Sequence, residues 1–135
     1  MLNKGRMRLG RSGKYDPESE AQVRLIAKNH IETDTEATSK NEDSGIDTAI
    51  IHMHGGGFIG GQSSSQLHYT SLWAHTYEKV AIFSIDYRLS PQSRFPAALD
   101  DCFQTYAWVI LHAKEVLNLD FKKIVLVGDS AGGSL

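Results

Sequence analysis

Short apolar runs alternate with helical patterns along the chain from residue 45 onward. Apolar residues dominate residues 48–53, 80–85 and 124–127, and each run has the length that is typical of a buried strand. The runs are separated by longer segments whose apolar residues recur at helical spacing. Short buried strands that alternate with helices indicate a mostly parallel sheet with helices on both faces. The pattern therefore predicts the α/β fold class.

The two helical segments carry different signals. Ser63 and Gln66 fit a capping box at the start of the first helix. Its apolar face is then predicted to contain Leu67, Tyr69, Leu72, Trp73 and Tyr77. The second helix is predicted to follow Pro96, and its apolar residues recur at helical spacing: Leu99, Cys102, Phe103, Tyr106, Val109, Ile110, Ala113 and Leu117. Because Cys102 falls on this face, we expect a packed core thiol there rather than a catalytic one.

Residues 1–45 differ from the rest of the chain in their charge. Residues 1–15 contain five basic residues and no acid, whereas residues 16–47 contain nine acids against three basic residues. The basic stretch is predicted to be a solvated tail, with a transit-peptide remnant or an arm that contacts an anionic surface as alternatives. Residues 22–31 alternate enough to predict a short strand, and residues 32–46 are predicted to be a surface loop or a disordered connector. We therefore predict two parts, a polar and partly disordered segment over 1–45 and a domain over 46–135.

A G-x-S-x-G motif at residues 128–132 follows the third apolar run. In such a motif the serine occupies a sharp strand-to-helix turn, with its hydroxyl exposed above the sheet. The alternative is a Gly-Ser turn with no chemistry. The buried strand before the motif and the small residues Ala131, Gly132 and Gly133 after it favour a nucleophile elbow. Ser130 is therefore the candidate nucleophile.

Three consecutive glycines follow the first apolar run, in the sequence His54-Gly55-Gly56-Gly57-Phe58. Consecutive glycines allow the backbone to direct several N–H groups into one small volume. Acyl transfer needs such donors because its tetrahedral intermediate carries a negative oxygen, and one donor contributes about 2.7–4 kcal/mol to transition-state stabilisation. The alternatives are a flexible loop or a phosphate cradle, but the spacing of a phosphate-binding motif is absent.

Taken together, three motifs resemble the hormone-sensitive lipase family of α/β-hydrolases: HMHGGGF at 52–58, DYRLSPQSRFPAALDD at 86–101 and GDSAGG at 128–133. The resemblance implies an α/β-hydrolase fold with Ser130 as the nucleophile. It also implies an oxyanion hole formed by the N–H groups of Gly56, Gly57 and Ala131. His54 and Gly55 are expected to support the glycine loop rather than to transfer protons.

The catalytic acid and base that this family requires have no matching positions in the chain. In elbow-containing hydrolases the chain order is Ser, then Asp or Glu, then His, and five residues follow Ser130 here. We therefore expect a C-terminally truncated fragment of a serine ester hydrolase, incomplete at the C-terminus of its sheet and inactive by itself. The alternative is a non-catalytic binding or regulatory fragment with the same fold. An exposed last strand would also make the isolated chain prone to aggregation.

The remaining histidines and acids are expected to be structural. His30, His52, His68, His75 and His112 lie on predicted strands or helices, and Asp129 is expected to support the elbow locally. No pair of these residues has metal-ligand spacing with a supporting acid, so no metal is expected. A further set matches the middle motif and forms either an internal polar network or solvated surface charges: Asp86, Arg88, Asp100 and Asp101. Trp73, Phe58 and Tyr87 could line an acyl pocket or belong to the core.

Composition adds little to this interpretation. The chain has 135 residues, 41% hydrophobic and 22% charged, with a net charge of −2, as in an ordinary soluble domain. One cysteine excludes an internal disulfide and is typical of a reducing, cytoplasmic location. There is no transmembrane run and no signal-peptide pattern. We expect a small-molecule or lipid ester as substrate, no cofactor, no nucleic-acid partner, and at most a transient contact with a lipid surface.

Overall fold

The computed structural model describes residues 3–7, 21–28 and 45–135. Within these ranges the chain forms one five-stranded sheet and two α-helices. The elements, in chain order, are β1 (Asn3–Met7), β2 (Ala21–Ala27), β3 (Thr48–Met53), α1 (Leu67–Thr76), β4 (Val80–Asp86), α2 (Ala97–Leu117) and β5 (Lys123–Gly128). Short 3₁₀ helices precede α1, at Ser63–Gln66, and follow β5, at Ser130–Ser134.

The sheet is mixed, with the strand order β1-β2-β4-β3-β5. The three strands predicted from the apolar runs are parallel, since β3 pairs with β4 on one side and with β5 on the other. The two N-terminal strands pair antiparallel, β2 with β4 and β1 with β2. The predicted α/β fold is therefore confirmed. The parallel strands are the three that follow residue 45 in the chain, β3, β4 and β5.

Helices cover opposite faces of the sheet, as the alternating side chains of the strands require. On one face Ile50 and Ile82 pack with Ala74 of α1. On the other face Ile51 and Phe83 belong to the larger core, to which α2 contributes Cys102, Val109 and Leu117. Burial raises the pKa of the Cys102 thiol to about 12, which agrees with the expected core thiol. The prediction of helices on both faces is confirmed.

The first helix differs from its prediction at its start and on its face. Its N-cap is Gln66, without a side-chain cap, so the predicted capping box is wrong. The residues that α1 buries are Thr70 and Ala74, whereas the predicted Leu72 and Tyr77 are 62% and 57% exposed. Small side chains let a short helix approach the sheet closely, and this close approach turns the larger side chains outward.

The second helix begins after Pro96, as predicted. Half of the predicted apolar positions are buried, and half lie 36–49% exposed: Leu99, Phe103, Tyr106 and Ile110. The buried face of α2 is rotated about the helix axis relative to the predicted apolar face, because the helix also buries three polar side chains, Asp101, Gln104 and Thr105. The polar contacts of Asp101 with Arg88 therefore help to decide which face of α2 packs on the sheet.

The last strand, β5, is less buried than its apolar sequence predicts. Val125 is 43% exposed and Leu126 is 59% exposed. In the described part of the chain β5 lies at the edge of the sheet and pairs with β3 alone. The helices α1 and α2 pack mainly against β2, β3 and β4, so both faces of β5 remain accessible to solvent.

Among the residues described before position 45, the chain forms two strands. The strand predicted over 22–31 is confirmed as β2, which ends at Ala27. The prediction of a solvated tail over residues 1–15 is wrong for Asn3–Met7. The backbone of this segment pairs antiparallel with β2 and covers an edge of that strand that would otherwise be open. The remainder of the N-terminal predictions, including His30 and most of the acidic connector, falls outside the described residues. No helix within the described ranges has the length and hydropathy needed to cross a membrane.

Replacing Ile51 by valine should lower the free energy of unfolding by about 0.5–1.5 kcal/mol, because Ile51 is fully buried and loses one packed methylene. The same substitution at Ile110, which is 49% exposed on α2, is the matched control and should change stability by less than about 0.5 kcal/mol. Urea unfolding measures both variants. Equal effects at the two positions would contradict the assignment of the core.

Candidate active site

The segment after β5 makes a sharp turn at Ser130. Ser130 has φ of 52° and begins the 3₁₀ helix Ser130–Ser134 directly after the strand. A left-handed conformation is uncommon and strained for a residue with a side chain. The turn is tight, since a Cβ on Gly128 would lie 2.2 Å from the carbonyl oxygen of Gly132. Ser130 itself is exposed, as the sequence motif predicts for a nucleophile.

The glycine loop follows β3 and turns back on itself. Gly56 and Gly57 have φ of 128° and 63°, values that glycine adopts readily. The carbonyl oxygen of Gly56 accepts hydrogen bonds from the N–H groups of Ile59 and Gly60, at 3.2 and 3.1 Å. Among the described residues, no hydrogen bond uses the N–H groups of Gly56 or Gly57. These two groups are available to an acceptor.

The glycine loop and the elbow touch because β3 and β5 are neighbours. Met53 pairs with Gly128, so the two loops leave the sheet side by side. A Cβ on Gly132 would lie 2.1 Å from the carbonyl oxygen of Met53, and a Cβ on Gly55 would lie 2.5 Å from Oδ2 of Asp129. Glycine at both positions is therefore required for the contact.

Ala131 lies at the beginning of the 3₁₀ helix. The first hydrogen bond of this helix runs from the N–H of Gly132 to the carbonyl oxygen of Asp129, at 2.9 Å. The N–H of Ala131 precedes that bond and has no partner within the helix. The elbow therefore contains one backbone N–H without an intrahelical partner immediately after Ser130.

The buried side chain of His54 contacts the backbone of the glycine loop. Its ring is buried and stacks on Tyr87, with centroids 4.2 Å apart. Nδ1 lies 2.7 Å from the carbonyl oxygen of Gly55, and the hydroxyl of Tyr87 donates to the carbonyl oxygen of His54 at 2.6 Å. Burial is the largest cause that raises the pKa of Tyr87 to about 12, so this donor stays protonated. These contacts join His54 to the backbone of the glycine loop and to Tyr87, while its Nε2 is buried without a hydrogen-bond partner among the described residues.

A second polar network joins the Asp129 side chain at the elbow to side chains of α1 and of the sheet. The hydroxyl of Tyr69 donates to Oδ1 of Asp129 at 3.2 Å, and the side-chain amide of Gln66 donates to Oδ2 at 3.2 Å. His52 is fully buried, with Nε2 2.7 Å from the Tyr69 hydroxyl and Nδ1 2.8 Å from the Ser84 hydroxyl. The side chain of Asp129 therefore connects the elbow to α1 and to the sheet.

Burial dominates the ionisation of His52. Desolvation lowers the pKa of this histidine, the nearby carboxylate of Asp129 partly opposes the shift, and His54 adds a smaller lowering. The Asp129 carboxylate lies 3.8 Å from Nε2 of His52. The histidine is consequently held neutral in the folded chain near neutral pH.

The acids and arginine of the middle motif form internal contacts. Arg88 forms a two-pronged ion pair with the buried carboxylate of Asp101, with contacts of 2.7 and 3.0 Å. These hydrogen bonds are the largest cause that raises the pKa of Arg88. Asp86 accepts from the backbone N–H and the hydroxyl of Ser63. Of the two alternatives that the sequence left open, these three residues fit the internal network, and Asp100 contributes to the charge around Arg88.

Three aromatic residues were candidates for an acyl pocket. Tyr87 is buried under the glycine loop, and Trp73 packs against the α1-covered face of the sheet. Phe58 instead lines a cavity of about 220 Å³ beside the glycine loop and the end of the elbow helix, together with Phe95, Leu99 and Leu135. Of the three candidates, Phe58 therefore lines this cavity.

No histidine of the described residues forms a hydrogen bond with Ser130. His68 and His75 lie exposed on α1, and His112 lies on α2. The described residues also contain no cluster of three histidine, cysteine or acidic side chains that could hold a metal ion. The network around Tyr69 was missed by the sequence interpretation, and its members carried no spacing signal because they come from four separate elements.

Comparison with known proteins places this geometry in context. A family model described as alpha/beta hydrolase fold matches residues 50–135. The chain is similar to hormone-sensitive lipase of Mus musculus, with 45% identity over 86 residues, and to ethyl acetate hydrolase of Pseudomonas putida, with 40% identity over 88 residues. Each alignment covers 64% of the chain, but 11% of the lipase and 27% of the hydrolase.

A solved structure agrees over nearly the whole chain. An esterase of Pyrobaculum calidifontis superimposes with a TM-score of 0.74 at 25% identity, covering 98% of this chain and 36% of that protein. A bacterial heroin esterase gives a TM-score of 0.73 at the same identity. The chain thus spans roughly a third of the length of these structures.

Substituting Gly132 by alanine should destabilise the chain by about 1–3 kcal/mol, because the new Cβ would collide with the carbonyl oxygen of Met53 and push the two loops apart. Gly133→Ala is the matched control, since its Cβ would lie 3.2 Å from the nearest atom. Chemical unfolding of both variants tests the contact. A control variant that loses as much stability as Gly132→Ala would refute it.

Acidification should destabilise the chain through His52. A folded pKa below the ordinary value of about 6.5 means that the unfolded chain binds a proton more readily, so stability is present above that pH and is lost below it. In His52→Gln the loss of stability between about pH 7 and pH 5 should become smaller than in the wild type. The exposed His75→Gln variant should keep the full loss. A pH dependence that is unchanged in His52→Gln would disprove the assignment.

Proposed function

The chain belongs to the alpha/beta hydrolase fold family, and we propose that it provides the nucleophile and the oxyanion hole of a serine carboxylic ester hydrolase, an esterase or lipase. The observation that carries the proposal is the contact between the elbow and the glycine loop. It joins the turn that contains the strained, exposed Ser130 to the loop that contains Gly56 and Gly57, whose N–H groups form no hydrogen bond among the described residues. Active sites of α/β sheets lie at the carboxyl ends of the strands, where both loops are found.

In the proposed reaction the hydroxyl oxygen of Ser130 attacks the ester carbonyl. A base takes the hydroxyl proton, and the carbonyl oxygen becomes the oxyanion of a tetrahedral intermediate. The N–H groups of Gly56, Gly57 and Ala131 donate hydrogen bonds to this oxygen. Collapse of the intermediate breaks the ester C–O bond, the leaving alcohol takes up the proton, and water then hydrolyses the acyl-enzyme. His54 and Gly55 hold the donor loop in place.

The base itself is not among the described residues. A serine hydroxyl is a weak nucleophile until a histidine takes its proton and a carboxylate orients that histidine. The described histidines are occupied in the networks or lie on α1 and α2, and none bonds Ser130. We therefore propose that this chain by itself is catalytically incomplete and that ester turnover belongs to a protein in which a base reaches Ser130.

The proposed substrate is a small-molecule or lipid ester. Two relatives carry names that state ester hydrolysis, an ethyl acetate hydrolase and a lipase. Apolar side chains near the glycine loop support an uncharged acyl or alcohol group, notably Phe58, Ile59 and Phe95 with 37%, 72% and 86% exposure. Serine acyl transfer needs no cofactor. A cytoplasmic location and a transient contact with lipid surfaces are part of this proposal.

A second candidate function is a non-catalytic binding or regulatory module of the same fold. The observation that favours it is the absence of a histidine contact to Ser130 within the described residues. In that case the glycine loop would hold an anionic or carbonyl oxygen of a ligand, and Ser130 would not react. Chemical reactivity of Ser130 separates the two candidates.

A fluorophosphonate probe should label Ser130 slowly but in preference to the other serines of the chain. An oxyanion hole and substrate binding retain roughly 10³–10⁴-fold of rate enhancement when the triad is removed, so selectivity should survive without the base. Mass spectrometry of the digested, labelled chain identifies the site. Ser130→Ala should abolish the labelling, while Ser134→Ala, which removes an exposed serine of the same short helix, should retain it.

Labelling spread evenly over several serines would contradict the nucleophile assignment and favour the binding module. Labelling of Ser130 at the rate of a complete serine hydrolase would instead contradict the proposed incompleteness. The labelling rate and the labelled position therefore test separate parts of the proposal.

A further inference from the structure

The carboxylate of Asp129 is held by donors from a different part of the chain. Asp129 is the residue between the end of β5 and Ser130. Its Oδ1 accepts from Tyr69 and its Oδ2 accepts from Gln66, each at 3.2 Å, and both donors lie at the beginning of α1. The same carboxylate packs against the backbone of Gly55 in the glycine loop. One side chain therefore contacts both halves of the candidate active site.

The proton positions in this network follow from counting donors. Tyr69 has one hydroxyl proton, and donating it to Asp129 requires the Tyr69 oxygen to accept from His52. Nε2 of His52 must then carry the ring proton, so its Nδ1 accepts from the hydroxyl of Ser84. This arrangement satisfies each of the four groups with a directed chain that runs Ser84, His52, Tyr69, Asp129.

We propose that Tyr69, backed by His52 in its Nε2–H form, is a positioning residue that fixes Asp129 and thereby holds Ser130 and Ala131 against the glycine loop. The inference rests on the proposed function for its catalytic meaning. Its structural content, a relay that spans β4, β3, α1 and the elbow, stands on the contacts alone. None of the sequence motifs includes Tyr69 or Ser84.

The elbow needs such support because of its backbone. A non-glycine residue in the left-handed region persists only where its surroundings determine it, and Ser130 has φ of 52°. The 3₁₀ helix after it is short, and its first hydrogen bond ends on the carbonyl oxygen of Asp129. Release of the Asp129 side chain would therefore loosen the hydrogen bond from Gly132 and displace the adjacent Ala131.

The Tyr69→Phe variant tests the relay, with Tyr77→Phe as the matched control, because Tyr77 is a 57% exposed tyrosine at the other end of α1. In the full chain, nitrogen NMR of the histidine rings should show the Nε2–H tautomer for His52 in the wild type and in Tyr77→Phe. Amide hydrogen exchange at Gly132 should accelerate roughly tenfold in Tyr69→Phe, since a hydrogen bond to a charged group is lost. Exchange at Ile51 in the sheet should change less than about twofold.

A conservative and a non-conservative change of Asp129 complete the experiment. Asp129→Ala should accelerate exchange at Gly132 as much as Tyr69→Phe does, whereas Asp129→Asn, which keeps an oxygen acceptor for Tyr69, should retain most of the protection. A general loss of stability would instead accelerate Gly132 and Ile51 together. That result, or an Nδ1–H tautomer of His52, or unchanged exchange at Gly132, would overturn the proposal.

The catalytic meaning is tested separately by the fluorophosphonate probe. Labelling of Ser130 should slow by roughly tenfold in Tyr69→Phe and remain unchanged in Tyr77→Phe. If wild-type Ser130 does not label selectively, the proposed function fails, while the tautomer and exchange results still decide the positioning role. If Ser130 labels at the same rate in both variants, the proposed function stands and the positioning role in catalysis is refuted.

Discussion

The close approach of two backbone segments governs the candidate site. Gly132 lies against the carbonyl oxygen of Met53, and Gly55 lies against Asp129, at distances that leave no room for a Cβ. This contact exists because β3 and β5 are adjacent and parallel, so the loops after them leave the same edge of the sheet. The sheet order therefore brings the loop after β3 and the turn at Ser130 into contact, as the proposed reaction requires.

Support for this contact comes from two layers of polar groups. His54 and Tyr87 hold the glycine loop from the sheet side. Asp129 and Tyr69 hold the elbow from the side of α1. Each layer includes a tyrosine hydroxyl, and burial is the largest cause that raises the pKa of Tyr69 and of Tyr87 to about 12, so that both hydroxyls remain donors. Strain at Ser130 is thereby balanced by contacts that lie outside the motif itself.

The sequence predicted the local parts of this arrangement better than the long-range ones. The apolar runs gave β3, β4 and β5, and the glycine and serine motifs were placed correctly at strand ends, because these signals depend on neighbouring residues. The packed faces of the helices were partly wrong, since α1 buries Thr70 and Ala74 and α2 buries Asp101. The Tyr69 relay was missed because Ser84, His52 and Tyr69 meet only after the sheet has formed.

The most direct test is a crystal structure of the chain after reaction with a small fluorophosphonate. The tetrahedral phosphorus on Ser130 would mimic the intermediate of ester hydrolysis. We expect its phosphoryl oxygen to lie about 2.7–3.1 Å from the backbone nitrogen of Ala131 and from that of Gly56 or Gly57. An adduct whose oxygen points to solvent, away from the glycine loop, would contradict the proposed oxyanion hole and with it the central claim.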